Sequence, residues 1–345
     1  LKDLMMAAAT VAGGQLLSNF TGSNVTLLQE LVSAGFGPQS TLFNGVGTVP
    51  GGAGNSSLIV DVLPGTSVIV PSGYSSVFDA NGGDTINGGD NNLNVFLGAG
   101  TAFNTGGGSD LIHAVADTIT AGSGSTTVVG ADDNTVYGGS GAIIDDNSGG
   151  GSLLFVGGSG AVSVAGGSGD STMFGGTGAA SSYLRAGSGN STLLGGSGTG
   201  ASTLIGNGNV VEFARGSGPT TFIAGAGHSI IDGATGSGQE LVFTSVAGKD
   251  ASALIALNNA ADTVVGGTGN STVIGGNGPD LYAFIAGHAG GSETIFGLKP
   301  NDAILFGGYS KNPIASETVS HGSDAIKLSD GTTITLIGID HKLFS

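Results

Sequence analysis

A nine-residue period between Gly157 and Gly227 constrains this chain more than any other feature. It reads GGSGAVSVA, GGSGDSTMF, GGTGAASSYLR, AGSGNSTLL, GGSGTGASTLI and onward through AGAG. Units open at Gly157, Gly166 and Gly175, nine residues apart, and Ala186 stands nine residues before Gly195. Steps of ten or eleven occur where residues are inserted, as around Tyr183. Each unit is a Gly-x-Gly turn, a small polar pair and an apolar pair. A period of this length predicts a β-solenoid, because one unit is too short to bury its apolar side chain without a stacked neighbour.

Composition agrees with that reading. There are 70 glycines in 345 residues, close to three times the usual share of about 7%. No Gly-X-Y triplet runs through them, which excludes collagen. A hydrophobic content of 39% argues against a disordered linker. The expected fold is all-β: a parallel β-roll or β-solenoid of Gly-rich nonapeptide-like repeats, with a small N-terminal helical cap and a C-terminal β region. Glycine is expected in the turns because they need positive φ. In GNSTLL, Leu193 is expected to point inward and Thr192 and Leu194 outward. The corresponding inward residues are Val128, Met173, Leu204, Phe222 and Val273. Two nine-residue half-turns then make one coil.

The chain divides into four segments. Residues 1–36 read as helical: Ala7, Ala8 and Ala9 favour helix, and Thr26 with Gln29 forms a capping box ahead of Leu27, Leu28, Leu31 and Val32. This segment is either a cap over the open end of the solenoid or an assembly element that docks on another subunit. Residues 37–80 are an irregular β lead-in, with turns at Pro64, Gly65, Pro71 and Gly73. Residues 81–283 are the Gly-rich repeats. Their period lapses near Gly236 into degenerate coils or an inserted loop, and returns at Gly266 and Gly275. Residues 284–345 form a strand-rich region without the period. The N-terminal LKDLMMAAATVAGGQLL has Asp3 early and lacks the layout of a signal peptide. Because the chain opens on Leu1, residues are expected to precede it.

Charge narrows the function classes. Twenty-five acidic residues stand against eight basic ones, for a net charge of −17. That sign disfavours nucleic acid and anionic membrane as partners, and suits divalent cations or simple solubility. No apolar run reaches the length of a membrane span, so membrane insertion is not expected. With no cysteine in the chain, disulfides, thiolate metal sites and cysteine nucleophiles are excluded.

Little in the motifs predicts an enzyme. There is no HExxH zinc motif, and the GSGDS and GSGNS runs belong to the repeat rather than to a strand–turn–helix. The five histidines, His113, His228, His288, His321 and His341, have no metal-ligand spacing. His113 between Asp110 and Asp117 is the best lone cluster. A glycan-cleaving site on a β-helix would need a carboxylate pair, which Asp132 with Asp133, or Asp145 with Asp146, would supply. Thr172, Thr192, Thr203, Thr221 and Thr272 recur at one repeat position, a weak pattern for surface binding by threonine rows.

GGNGPDLYA, Gly275 to Ala283, fits Gly-Gly-x-Gly-x-Asp-x-apolar-x in full. It resembles the repeats-in-toxin (RTX) family, the calcium-binding β-rolls of bacterial proteins exported by type I secretion. FIAGHAGGSETIFGLKPNDAILFGGY is similar to the stretch after the last repeat in that family, and AIKLSDGTTITLIGI to its closing β segment before an uncleaved export signal. The resemblance covers about residues 80 to 345. It implies secretion through type I machinery and calcium held by turn carbonyls and the sixth-position aspartate, here Asp280. Asp84, Asp90 and Asp110 each come after a glycine turn and are further calcium candidates. Ser171, Ser191 and Ser271 stand where the family has its aspartate, and a hydroxyl is a weak ligand for this hard cation. Most of the repeat is therefore expected to be independent of calcium.

The resulting reading is a secreted, non-enzymatic structural protein that self-assembles at the cell surface or in the extracellular matrix, as a surface layer, filament or biofilm scaffold. Its expected partner is itself, through the outward apolar residues Phe174, Leu194, Ile205, Ile223 and Ile274, unless the chain's own tail covers them. The alternative is an adhesin-like module that binds glycans or another surface.

Overall fold

A computed structural model describes residues 40–345, apart from Ala131, residues 245–247, Lys249, Lys311 and Ser345. The helical cap expected over residues 1–36 lies outside the described residues. Every regular element among those described is a β-strand. The chain divides into two compact units, with the boundary between Leu154 and Phe155.

Each unit is a parallel β-solenoid in which successive strands alternate between two sheets. In the first unit, one sheet runs in the order Ser40–Phe43, Ser56–Val60, Tyr74–Asp79, Asn94–Phe96, Asp110–Ala114, Thr126–Gly130 and Ile143–Asp146. The other runs Ser67–Ile69, Thr85–Gly89, Ala102–Thr105, Thr118–Thr120 and Asn134–Tyr137. Residues 40–80 are thus stacked strands in register with the Gly-rich coils: Leu58 pairs with Val77, and Val77 with Val95.

In the second unit, one sheet holds Val162–Ala165, Ser182–Arg185, Ser202–Ile205, Thr220–Ile223, Glu240–Phe243, Thr263–Val265, Leu281–Ile285 and Ala303–Gly307. Its companion holds Ser171–Phe174, Ser191–Leu194, Val210–Phe213, His228–Asp232, Ser252–Ala256, Asn270–Ile274 and Ser292–Phe296. It then continues through Thr333–Ile337 into an antiparallel meander with Ser323–Leu328 and Ile314–Ser320. Where the nine-residue period lapses after Gly236, the strands Glu240–Phe243, Ser252–Ala256 and Thr263–Val265 keep the coils in register.

Register makes columns. Ser171 pairs with Ser191, Thr172 with Thr192, Met173 with Leu193 and Phe174 with Leu194. The third residue of these strands points inward and is fully buried at Met173, Leu193, Leu204 and Phe222, as are Val273, fourth in Asn270–Ile274, and Val128 in the first unit. The first residue is buried too, at Ser171, Ser182, Ser191 and Ser202. A strand therefore offers two inward positions rather than the single one expected, because alternation over four residues brings the first and third to the same face. Phe174, Leu194, Ile205 and Ile223 face outward and are half-buried, while Ile274 is 47% exposed.

Most turn glycines of the main repeat serve close approach; from Gly157 to Gly227 only Gly208 and Gly216 have positive φ. Between Gly157 and Gly206 no glycine lies in the left-handed region. A Cβ on Gly187 would instead sit 1.6 Å from the carbonyl oxygen of Gly167 in the neighbouring coil. Backbone stacked this tightly admits no side chain. Gly187→Ala is expected to lower the stability of the protein by about 1–3 kcal/mol through overpacking, read as a fall in the midpoint of urea unfolding. Gly51→Ala, where an added Cβ meets nothing within 4 Å, should leave that midpoint almost unchanged.

Candidate functional site

The chemically loaded feature of both units is a set of carboxylates on inward positions. In the second unit the leading inward column of the first sheet runs Ser182, Ser202, Thr220, Glu240, and Asp262, Asp280 and Asp302 continue it just ahead of the next strands. The two serines cap their own turns, accepting hydrogen bonds from the Gly176 and Gly196 N–H groups at 2.9 Å. The carboxylates reach across coils. The Glu240 N–H donates to Asp262 Oδ1 at 2.8 Å, the Asp262 N–H to Asp280 Oδ1 at 3.2 Å, and the Asp280 N–H to Asp302 Oδ1 at 2.9 Å. Each acid thereby staples the backbone of the coil before it.

The first unit repeats the device. Asp84 Oδ1 accepts from the Thr66 N–H at 3.0 Å, Asp110 Oδ1 from Leu93 at 3.0 Å, and Asp117 Oδ1 from Thr101 at 2.8 Å. Three of the four calcium candidates, Asp84, Asp110 and Asp280, are thus buried inter-coil staples, each with its Oδ2 unpartnered. Asp90 is exposed and accepts from the Gly107 N–H at 2.8 Å. Asp84 and Asp90 stand at the two ends of the strand Thr85–Gly89, Asp110 and Asp280 lie on other coils, and the four do not converge. Among the described residues no group of three or more His, Cys, Asp or Glu is placed to hold a metal ion. At Asp280 the neighbouring coil offers one further free carboxylate oxygen, on Asp262; the rest of the six to eight oxygens calcium takes would have to come from turn carbonyls and water.

The other candidate clusters separate across the sheet. Asp145 points inward and Asp146 outward on one strand, so the two carboxylates cannot face one substrate. Asp132 and Asp133 are exposed on a turn, where Asp133 Oδ1 accepts from the Ser152 N–H. Asp110 and Asp117 are buried, while His113 lies on the outer face stacked on Phe96, with ring centroids 4.5 Å apart. On the outer side of the second unit, a groove of about 430 Å³ is lined by Asp170, Asn190, Asn209 and His228, with Thr192 and Ile230 beside them. Its polar side is a ladder: the Asn190 N–H donates to Asp170 Oδ1, Asn209 Nδ2 to Asn190 Oδ1, and the His228 N–H to Asn209 Oδ1.

Two acids occupy positions that the register reserves for apolar side chains; the sequence reading placed neither there, taking Asp145 only as half of a carboxylate pair with Asp146. Glu212 sits between Leu193 and Ile231 in the core column, and Asp145 comes after Val128. Both are buried, and neither oxygen of either carboxylate has a hydrogen-bond partner. The signal was present in the sequence: Glu212 comes after Asn209-Val210-Val211 at the spacing that places Leu193 after Asn190-Ser191-Thr192. Comparison with family models and with curated proteins finds no match for the chain.

Burial removes these groups from water and disfavours their charged form. It pushes Glu212 and Glu240 up to about 8, Glu293 and Asp145 to about 7, and Asp280 to about 6. An acid whose value is raised on folding gives stability that is complete below its unfolded value, near 4 to 4.5. That stability is lost as pH rises through the folded value. The thermal midpoint is therefore expected to fall between about pH 5 and pH 9. Glu212→Gln should flatten this slope, and Glu212→Leu should raise stability at alkaline pH by about 1–3 kcal/mol, by removing an unpaired buried polar group. A midpoint that rises with pH over this range would contradict the assignment.

Proposed function

We propose that this is a secreted structural protein that self-assembles at the cell surface or in the extracellular matrix, in a surface layer, filament or biofilm scaffold. The observation that carries the reading is the outer face of the second sheet in the second unit. Ile230 and Leu254 stand side by side in one column, at 47% and 45% exposure, and Ile274 and Phe296 in the next, at 47% and 40%. Contiguous exposed apolar side chains on a flat sheet mark an interaction surface. Export by type I secretion rests on the resemblance of the C-terminal region, and no catalytic role is assigned. The alternative is an adhesin-like module, and the polar groove along Asp170, Asn190, Asn209 and His228 favours it: a row of amide and carboxylate groups beside Thr192 suits hydroxyl-rich glycans.

Negative-stain microscopy of the purified full chain, with and without EDTA, separates the readings. Ordered assemblies are expected in both conditions, because Ser171, Ser182, Ser191 and Ser202 fill leading inward positions where a calcium-dependent roll would need carboxylates. Dispersed monomers at every calcium concentration would defeat the structural reading and leave the adhesin, for which a glycan array is the direct assay.

Calcium is proposed as an accessory at few sites, with Asp280 the first and Asp84, Asp90 and Asp110 the others. At about 6, Asp280 ionises close to neutrality and its free oxygen then becomes a ligand. Millimolar calcium should raise the thermal midpoint by a few degrees at pH 7.5, and Asp280→Asn should abolish most of that rise. Collapse of the far-ultraviolet circular dichroism on EDTA addition would show instead that calcium holds the whole fold.

A further inference from the structure

The chain carries a net charge of −17, yet the outer sheet faces of the second unit are nearly free of it. On the first sheet the outward residues run Tyr183, Thr203, Thr221, Leu241, Thr263 in one column and Arg185, Ile205, Ile223, Phe243, Val265 in the next. Across its eight strands that face holds no carboxylate and a single charge, Arg185. Arg185 is exposed, and among the described residues its guanidinium has no ion-pair partner. The parallel part of the second sheet holds a single outward carboxylate, Asp232, in the column Leu194, Phe213, Asp232, Ala256, Ile274. Apart from Asp232, the acids of the parallel coils of this unit lie in the inward columns and the turns.

From this distribution we infer that the two faces are the complementary halves of one interface: the Arg185 face of one molecule stacks on the Asp232 face of a second copy. The inference rests on the self-assembly reading and names the surface that would carry it. Two identical faces would leave the buried charge, Arg185 or Asp232, with no opposite charge to face, because neither face carries one. Opposed faces instead place the one cation near the one anion, amid isoleucine, phenylalanine and threonine. Sheets pack face to face at about 10 Å through such side chains. A contact between two different faces of one molecule does not close on itself and propagates. Eight strands at about 4.8 Å spacing and four residues of about 3.3 Å give a flat face of roughly 500 Å². That is below the ~800 Å² per partner of a stable pair, so the array should form cooperatively and only above a threshold concentration.

Charge reversal tests the pairing, with sedimentation velocity and negative-stain microscopy of the full chain as readouts. Arg185→Glu and Asp232→Arg should each raise the concentration needed for assembly at least tenfold. An equimolar mixture of the two variants, and the double reversal R185E/D232R, should both restore it, because each again opposes a cation to an anion. Arg215→Glu makes the same charge change on an exposed turn, and should leave the threshold within twofold of the unaltered protein. If R185E behaves like R215E, or if the mixture and the double reversal fail to recover while the unaltered chain assembles, the interface is wrong and the self-assembly reading stands. An unaltered chain that stays monomeric at every concentration overturns both.

Discussion

The structure depends on one constraint: each coil must lie on the next with no lateral offset and almost no gap. A parallel ladder along the coils requires the first condition, and the turns enforce the second, since a single Cβ at Gly187 would collide with the carbonyl of Gly167. The consequence is that position in a strand becomes position in a column. A residue type chosen once is repeated beside itself, so hydroxyls meet hydroxyls, leucines meet leucines, and an acid meets whatever the next coil supplies.

That repetition explains the fate of the acids. A carboxylate at the leading inward position finds a backbone N–H of the adjacent coil within reach, as Asp262, Asp280 and Asp302 do. At Asp262 and Asp280 one oxygen is then satisfied and the other left bare. At the next inward position no such donor exists, because the ladder already uses the backbone there, and Glu212 and Asp145 remain without partners. The cost of a buried unpaired acid is met most cheaply by keeping its proton. At neutral pH part of the chain's formal negative charge is therefore not expressed, and the repulsion expected from composition is smaller than the residue count implies.

Much of this was legible in the amino-acid order. The nine-residue period announced the coil, and the inward placement of Met173, Leu193, Leu204 and Phe222 came from alternation alone. Three things were not legible. Ser171 and Ser191 read as failed calcium ligands, but they fill an inward position whose existence depends on where the strand starts. The stretch after Gly236 looked like an interruption because its turns change length and composition, although its strands hold register; hydrogen bonding between coils tolerates a longer turn that a strict period does not. The aspartates of the glycine turns also bond the backbone of a neighbouring coil. Their role as staples depends on a backbone N–H about eighteen residues away, as between Asp84 and Thr66, and sequence spacing alone does not reveal that contact.

The same column logic bears on the outer faces. An outward charge on a flat parallel sheet is also repeated beside itself if the repeat is copied, and like charges about 4.8 Å apart on neighbouring strands destabilise the ladder. Outward positions therefore drift toward threonine, isoleucine and phenylalanine, which favour strands, and acids accumulate in turns and at the leading inward position, where a backbone donor answers them. A neutral apolar face is thus a by-product of building a solenoid by repetition. What repetition does not produce is one arginine on one face and one aspartate on the other. Arg185 and Asp232 break columns that are otherwise uncharged; Asp232 Oδ1 accepts from the Ala234 N–H of its own turn, but neither side chain fills a void in the core or caps the backbone of another coil. Charges placed against the grain of the repeat in this way fit a contact with another molecule better than a role in holding the coils together.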